Sequence, residues 1–549
     1  FSAPMHLSLF LWLLVVPALA PQPVNTDVRD EIRNRLQVAR ATGQLTAAGT
    51  TLRARVALPN HYEAHGFEPA WVVDGVPTEP LAKLMGAIGS AVLHGLDPTD
   101  YHMDRLRALH AGMSPRSPVR DQADLDLLAT DAFLVLGSHL LHGRVHPESF
   151  EPEWMANRRN RPMEPVLAEA LRSGDVAGAL ENLAPVQPRY ATLKRALASL
   201  RALEANGPWI PIPSGPKMEI GSRGERVAQL KERLRALGDL TVHVQGSDSL
   251  LFDTGLQEAV IRFQERHGLD ADGVVGPATL SALNMTPEQR IQQIVVNMER
   301  WRWLPDDLGE EHIEVNIPGF VVHVVERGRV MREHRAIVGR VVRQTPSFTG
   351  QMSYLVLAPY WHVPPTIASQ DKFPQIKNDP GAVAAQNMKL FSVATNAVVD
   401  PASVDFSSMT GREFNQQYRL RQEPGPQNAL GRVKFMYPNR HNVYLHDTPS
   451  RELFSRSSRG FSSGCIRIDN PLDLAEYLLR DNPAWQREHI DRVATGTTET
   501  SIRLSRVLPV HMLYWTAWAD QDGTIQFRDD IYKRDARVAA ALSADAPGV

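Results

Sequence analysis

Val443-Tyr444-Leu445-His446-Asp447, followed by Phe461-Ser462-Ser463-Gly464-Cys465-Ile466-Arg467, is the stretch whose reading decides what kind of domain this chain builds. The alternation in Val443 to His446 predicts a strand, and the two-residue period puts Tyr444 and His446 on one face. Cys465 is the single cysteine in 549 residues, so it has no internal disulfide partner. An unperturbed thiol, with a pKa of about 8.5, is only a few per cent thiolate at neutral pH and needs a base or a cation beside it. His446, 19 residues upstream (465 − 446), can supply the base. Ser463 and Gly464 are small enough to admit a carbonyl close to the backbone, with successive N–H groups turned toward a developing oxyanion. That arrangement suits acyl transfer. Arg467 has three readings: a clamp for a substrate carboxylate, a charge that depresses the thiol pKa, or a surface ion pair.

Outward from this stretch the pattern is strand-like. His312 to Ile317, Phe320 to Val325 and Val330 to Val338 are joined by turns at Pro318-Gly319 and Arg327-Gly328, and further β signals lie at Tyr354 to Leu357, Ile502 to Leu504 and Thr524 to Phe527. Between Asn378 and about Gly431 the β pattern lapses into a stretch rich in Asn, Gln, Ser and Gly. It reads as an insertion, either a lid over a site or a surface elaboration.

Before the β-rich part, Thr286-Pro287-Glu288-Gln289 opens a helix with a capping box and proline in the first turn, and Ile291, Ile294, Val295, Met298 and Trp301 form its apolar side. Further back, Val227, Leu230, Leu234 and Leu237 make one helix face, and Leu256, Ala259, Val260 and Phe263 make another. A third short helix follows Pro277, so a small three-helix core is expected. Pro208 to Pro216 carries too many prolines for helix or central strand and marks a linker. From Val24 to about Leu203 the spacing is helical, as in Leu125, Leu128, Ala132, Leu136 and Leu140. The cluster Tyr62, Phe67, Pro69 and Trp71 is either core packing or a ligand platform.

Leu7 to Val16 followed by Ala18-Leu19-Ala20 reads as a secretory apolar segment with a small-x-small cleavage site. No Lys or Arg precedes it and Pro21 follows Ala20 directly, so retention as an inner-membrane anchor, or burial as a helix, stays open. A composition of 43% hydrophobic and 22% charged residues argues against disorder and against a multi-span membrane protein. A net charge of −3 supplies no basic field for nucleic acid. Nineteen histidines contain no His-Glu-x-x-His pattern and no compact Cys/His cluster, so neither metal nor cofactor is expected.

Two resemblances follow from these residues. Gly221-Ser222-Arg223-Gly224-Glu225-Arg226-Val227, Ala259-Val260, Phe263-Gln264, Gly268-Leu269, Asp272-Gly273-Val274-Val275-Gly276 and Thr279-Leu280 together resemble the peptidoglycan-binding helical module of wall hydrolases. His446 and Ser462-Ser463-Gly464-Cys465-Ile466-Arg467 resemble the signature of the L,D-transpeptidases, with Ser463 where a histidine commonly stands. The large multidomain periplasmic YcbB-like members are the most similar, through His94-Gly95-Leu96-Asp97-Pro98, Gly143-Arg144-Val145, Pro359-Tyr360-Trp361-His362-Val363-Pro364 and the segments Leu508 to His511, Tyr514 to Trp518 and Asp530 to Tyr532.

The resemblance implies a multidomain α+β chain. Its expected parts are a signal peptide or anchor (1–23), a helical scaffold (24–207), a linker (208–218), a peptidoglycan-binding module (219–285), a connecting helix (286–311), a catalytic domain (312–535) with its insertion at about 378–431, and a tail (536–549). It implies a Gram-negative periplasmic enzyme acting on peptidoglycan stem peptides and glycan. Cys465 would attack the carbonyl before a terminal D-alanine, His446 would carry the proton, and Tyr444 with backbone N–H groups near Gly464 and Cys465 would hold the oxyanion. Ser463, Gly464, Arg467 and Trp361 would bind substrate. An amine acceptor gives a 3→3 crosslink, water gives a carboxypeptidase or crosslink-cleaving peptidase, and a non-catalytic wall-binding scaffold is the reading from another class.

Overall fold

The computed structural model describes residues 26–150, 159–241 and 248–544, so the apolar segment Leu7 to Val16 lies outside the described residues. The chain is a mixed α+β protein with a helical N-terminal region, a small helical module and a β-rich domain.

The helical region is built around Val119–His142. This is the one helix among the described residues long and apolar enough to cross a membrane, yet 89% of its most apolar window is buried, as befits a core helix. Its buried acids act as sockets for backbone. Asp126 accepts hydrogen bonds from the Tyr62 hydroxyl at 2.6 Å and from the Trp71 and Val72 N–H groups at 2.7 and 3.1 Å, and Asp131 accepts from the Arg53 and Ala54 N–H groups while pairing with His102. Buried donors need such partners. Tyr62 and Trp71 are therefore core rather than a ligand platform.

The helix Pro287–Arg302 starts with the expected capping box at Thr286 and Gln289. It packs into this same core rather than merely linking two others, with Ile294, Met298 and Trp301 buried there. Two motifs singled out in the sequence form its docking surface. Gly95 has φ +70°, and a Cβ there would meet Val295 at 2.8 Å; Gly143 has φ +86°, and a Cβ would meet the Glu299 carboxylate at 2.5 Å. Only glycine admits the helix so closely.

The expected tail is corrected here. Asp535–Ser543 is a helix whose Val538 and Ala539 join the helical core, and Arg144 donates to the Ala541 and Leu542 carbonyls at its C-terminal end, at 3.0 and 2.8 Å. The β signal at Thr524 to Phe527 belongs to a hairpin, Ala517–Ala519 with Ile525–Phe527, that also packs on the helical core, with Trp515 stacked on Trp301 at 4.6 Å. Trp515, Trp518, Phe527 and Val538 thus return to the helical core, while Tyr514 and Tyr532 stay packed against Ile317, Phe320 and Val338 of the β-rich domain.

The small module comprises Glu225–Ala236, Thr254–Arg266 and Pro277–Leu283 around Leu230, Leu234, Val260 and Phe263. The proline-rich linker lies on it, with Ile212 buried and the Arg233 guanidinium 3.7 Å from the Trp209 ring centre.

In the β-rich domain the ladder runs Arg329–Gly339, Ile466–Ile468, Leu445–His446, Val433–Met436, Phe348–Leu357, Thr500–Leu513, Glu311–Asn316 and Val321–Glu326, which pairs back onto Arg329–Gly339. Gly460–Ser462 adds on beside Arg329–Gly339. Helices Pro471–Leu479 and Arg487–Ala494 cover its core.

The insertion departs from the expected lapse in β structure. Val398–Val399, Met388–Ser392, Tyr418–Gln422 and Trp361–His362 form a separate four-stranded sheet in that order, so the inserted body starts at Trp361 rather than at 378. Phe373, Phe406, Phe414 and Leu420 give it a core of its own.

Candidate active site

The two halves of the signature meet as neighbouring strands. Leu445–His446 and Ile466–Ile468 pair in parallel, with Leu445 opposite Ile466 and His446 opposite Arg467. That register sets Tyr444 opposite Cys465, and the Ile466 N–H donates to the Tyr444 carbonyl at 3.1 Å. Because side chains alternate, Tyr444, His446, Cys465 and Arg467 all project from the face opposite the buried Leu445 and Ile466. They line a cleft of about 940 Å³ together with Ser462, Ser463, Asn442 and His441 on one side and Trp361, Ile367, Asp371, Lys372 and Gln386 of the insertion on the other. Tyr444 packs against both the sheet core and the insertion core.

His446 is buried, and its Nδ1–H donates to the Asp447 carbonyl at 2.5 Å, which leaves Nε2 as the basic nitrogen. The Asp447 carboxylate is engaged elsewhere: it accepts from the Arg432 N–H at 2.8 Å and pairs with Arg451 at 3.2 Å. Burial, then the nearby Arg467 charge, pushes the imidazole pKa down to about 3. Burial pushes the Cys465 thiol up to about 11, against the Tyr444 N–H, Arg467 and the Tyr444 hydroxyl, all of which favour the thiolate. Both shifts point the same way. The resting pair is a neutral imidazole and a neutral thiol, and the thiol Sγ–H points to the Asn442 carbonyl at 3.7 Å.

The turn before Cys465 is held by a residue whose role the sequence did not single out. Ser462 Oγ accepts from the Gly464 N–H at 3.1 Å and donates to the Cys465 carbonyl at 2.5 Å. Gly464 sits at φ +117°, which favours glycine, and its carbonyl accepts from Thr345 Oγ1 at 2.8 Å. The Gly464 N–H, expected at the oxyanion, is therefore already used inside the turn, and Gly464 does not line the cleft. Ser463 is exposed on the cleft wall and accepts from Arg343 at 3.0 Å. Arg343 in turn pairs with Asp371 of the insertion at 2.6 Å, strapping the insertion to the cleft rim. Nothing in the spacing of Arg343 and Asp371 along the chain announces that contact.

Trp361 is mainly core of the insertion, with one side facing the cleft. Arg467 reaches the cleft half-buried, with its Nε lacking a hydrogen-bond partner among the described residues. It is not the surface ion pair that was one of its three readings. Among the described residues no group of three or more His, Cys, Asp or Glu is disposed to hold a metal ion.

Three family models match this chain: an "L,D-transpeptidase catalytic domain" over residues 310–500, a "Putative peptidoglycan binding domain" over 223–283 and a "Scaffold domain" over 56–197. The chain is 35% identical over 250 residues to a protein of Haemophilus influenzae named "Putative L,D-transpeptidase", covering 46% of this chain and 49% of that protein. It is also 29% identical over 103 residues to epoxide hydrolase 1 of Sus scrofa, covering 19% and 22%. The chain thus spans about half the length of the first and about a fifth of the second. A solved structure of L,D-transpeptidase (Yku) from Stackebrandtia nassauensis aligns over 57% of this chain and 100% of that one, at 13% identity and a TM-score of 0.21.

Proposed function

We propose that this chain, which carries a YkuD-type L,D-transpeptidase catalytic domain beside a peptidoglycan-binding domain in a layout that fits the YcbB-like enzymes, forms 3→3 crosslinks between stem peptides through an acyl-enzyme on Cys465. The observation that supports the reading is the in-register pairing of two parallel strands, which sets an imidazole, a thiol, a phenol and a guanidinium on one wall of one cleft.

Cys465 Sγ attacks the carbonyl of the L-centre residue before the terminal D-alanine. As the C–S bond forms, the thiol proton passes to His446 Nε2, and the carbonyl oxygen takes the negative charge. Since the resting pair is neutral, charge separation coincides with attack rather than preceding it. The Tyr444 hydroxyl, beside the sulfur, is the donor best placed for the oxyanion. Collapse breaks the C–N bond, His446 returns the proton to the departing D-alanine amine, and a thioester remains. The side-chain amine of a neighbouring diaminopimelate then attacks, loses a proton to His446, and the proton returns to sulfur as the new amide forms.

Arg467, with no carboxylate of its own in ion-pair range among the described residues, holds the terminal carboxylate of the donor. Ser463 and Trp361 border the peptide. The small helical module keeps the enzyme on glycan, and with this substrate the place of action is the periplasm.

Mass spectrometry of products made from purified tetrapeptide-bearing muropeptides tests the acceptor. Dimers linked between two diaminopimelate residues, with one D-alanine released per crosslink, are the expected result. Tripeptides without dimers would make water the acceptor and replace the crosslinking reading by a carboxypeptidase.

A further inference from the structure

The cleft contains more positive charge than its own acids neutralise. Its lining carries Arg343, Lys372 and Arg467 but a single carboxylate, Asp371. That carboxylate is committed to the rim: Asp371 accepts from Arg343 at 2.6 and 2.9 Å and lies 3.6 Å from Arg340. Arg343 is thereby neutralised, and Arg467 stands beside the nucleophile. Lys372 remains, on the opposite wall, carried by the insertion.

Lys372 is placed rather than loose. It is half-buried, its Nζ donates to Gln386 Oε1 at 2.5 Å, and it lies 5.8 Å from the centre of the Trp361 ring. Among the described residues no carboxylate lies within ion-pair distance of it. A neutral amide and an aromatic face orient an ammonium without neutralising it. Burial lowers its pKa, so an arriving anion gains more from it than from a surface lysine.

We propose that Lys372 is a specificity-determining contact that recognises the side-chain carboxylate of the donor's acylated residue, so that the enzyme discriminates free-acid from amidated stem peptides. The inference rests on the stem-peptide reading above. Arg467 is one strand period from Cys465, roughly 7 Å along the strand, and suits the carboxylate of the residue that leaves. Lys372 faces the same cleft from the insertion and suits the next anionic group, on the residue that stays on sulfur. Trp361, whose ring face lies under Lys372, would then act on substrate through the lysine.

The test uses the full chain as Cys465→Ala, so that peptides bind without turnover, and two tetrapeptides that differ only in the diaminopimelate side-chain carboxylate, free or amidated. The parent is expected to bind the free acid about tenfold more tightly, a difference of ~1.4 kcal/mol. Adding Lys372→Met is expected to abolish that preference by weakening the acid alone, and Lys372→Arg to retain it. Equal affinity of the parent for both peptides, or a preference that survives Lys372→Met, would overturn the proposal while leaving the crosslinking reading intact. Weakening of both peptides alike would assign Lys372 to the shape of the insertion and also overturn it. Binding of neither peptide by the parent would sink the stem-peptide reading and this inference with it.

Discussion

Replacing Cys465 by alanine is expected to abolish crosslinking and D-alanine release, by at least about 10⁴-fold, while leaving the fold and retention on peptidoglycan intact. The size of the loss follows from the chemistry. Without sulfur no thioester can form, and groups that act as a unit lose nearly all their effect when one is removed. The folded state should barely notice. The thiol is half-buried, makes no disulfide, and donates only a long sulfur contact to the Asn442 carbonyl. A melting temperature within a few degrees of the parent, and unchanged pulldown on peptidoglycan sacculi, are the controls. A variant that still released D-alanine at the parent rate would remove Cys465 from the mechanism.

His446→Gln is expected to lower kcat by about 10² to 10⁴ with little change in KM, because a base is lost but no substrate contact. The pH dependence is equally specific. With its pKa down at about 3, His446 stays neutral as pH falls from 7 to 5, so the rate should not show the acid limb that an imidazole near 6.5 would impose. On the alkaline side, a thiol pushed up to about 11 stays protonated at neutral pH. Alkylation of Cys465 by the uncharged reagent iodoacetamide should therefore climb about tenfold per pH unit up to at least pH 9. A plateau already reached at pH 7 would mean a preformed thiolate–imidazolium pair and would contradict the neutral resting state.

Much of the site was legible because its geometry is local. Two-residue periodicity placed Tyr444 and His446 on one face, and the small residues before Cys465 signalled a tight approach. The parallel register that joins the two strands follows from Leu445 and Ile466 both needing the same core. What spacing could not show is the set of contacts made across long separations. The Arg343–Asp371 strap and the position of Lys372 depend on how the insertion folds back over the sheet.

The insertion itself was misread for a physical reason. Its strands, such as Met388–Ser392 and Tyr418–Gln422, are short and interleaved with Lys, Arg and Gln, and its core aromatics Phe373, Phe406 and Phe414 come from helices and loops rather than from one periodic run. The segment from Tyr514 to Asp535 was assigned to the β-rich domain because it carries strand signals, and the residues beyond it to a tail. Trp515, Trp518 and Val538 instead fill the helical core, a choice of partner that composition cannot express.

The nucleophile claim is tested most directly by the intact mass of the full chain mixed with a tetrapeptide donor and no amine acceptor. The account predicts a species heavier by the donor minus D-alanine, with the adduct mapped to the peptide containing Cys465 and lost on treatment with hydroxylamine. Release of D-alanine with no such adduct, or an adduct on any other residue, would contradict it.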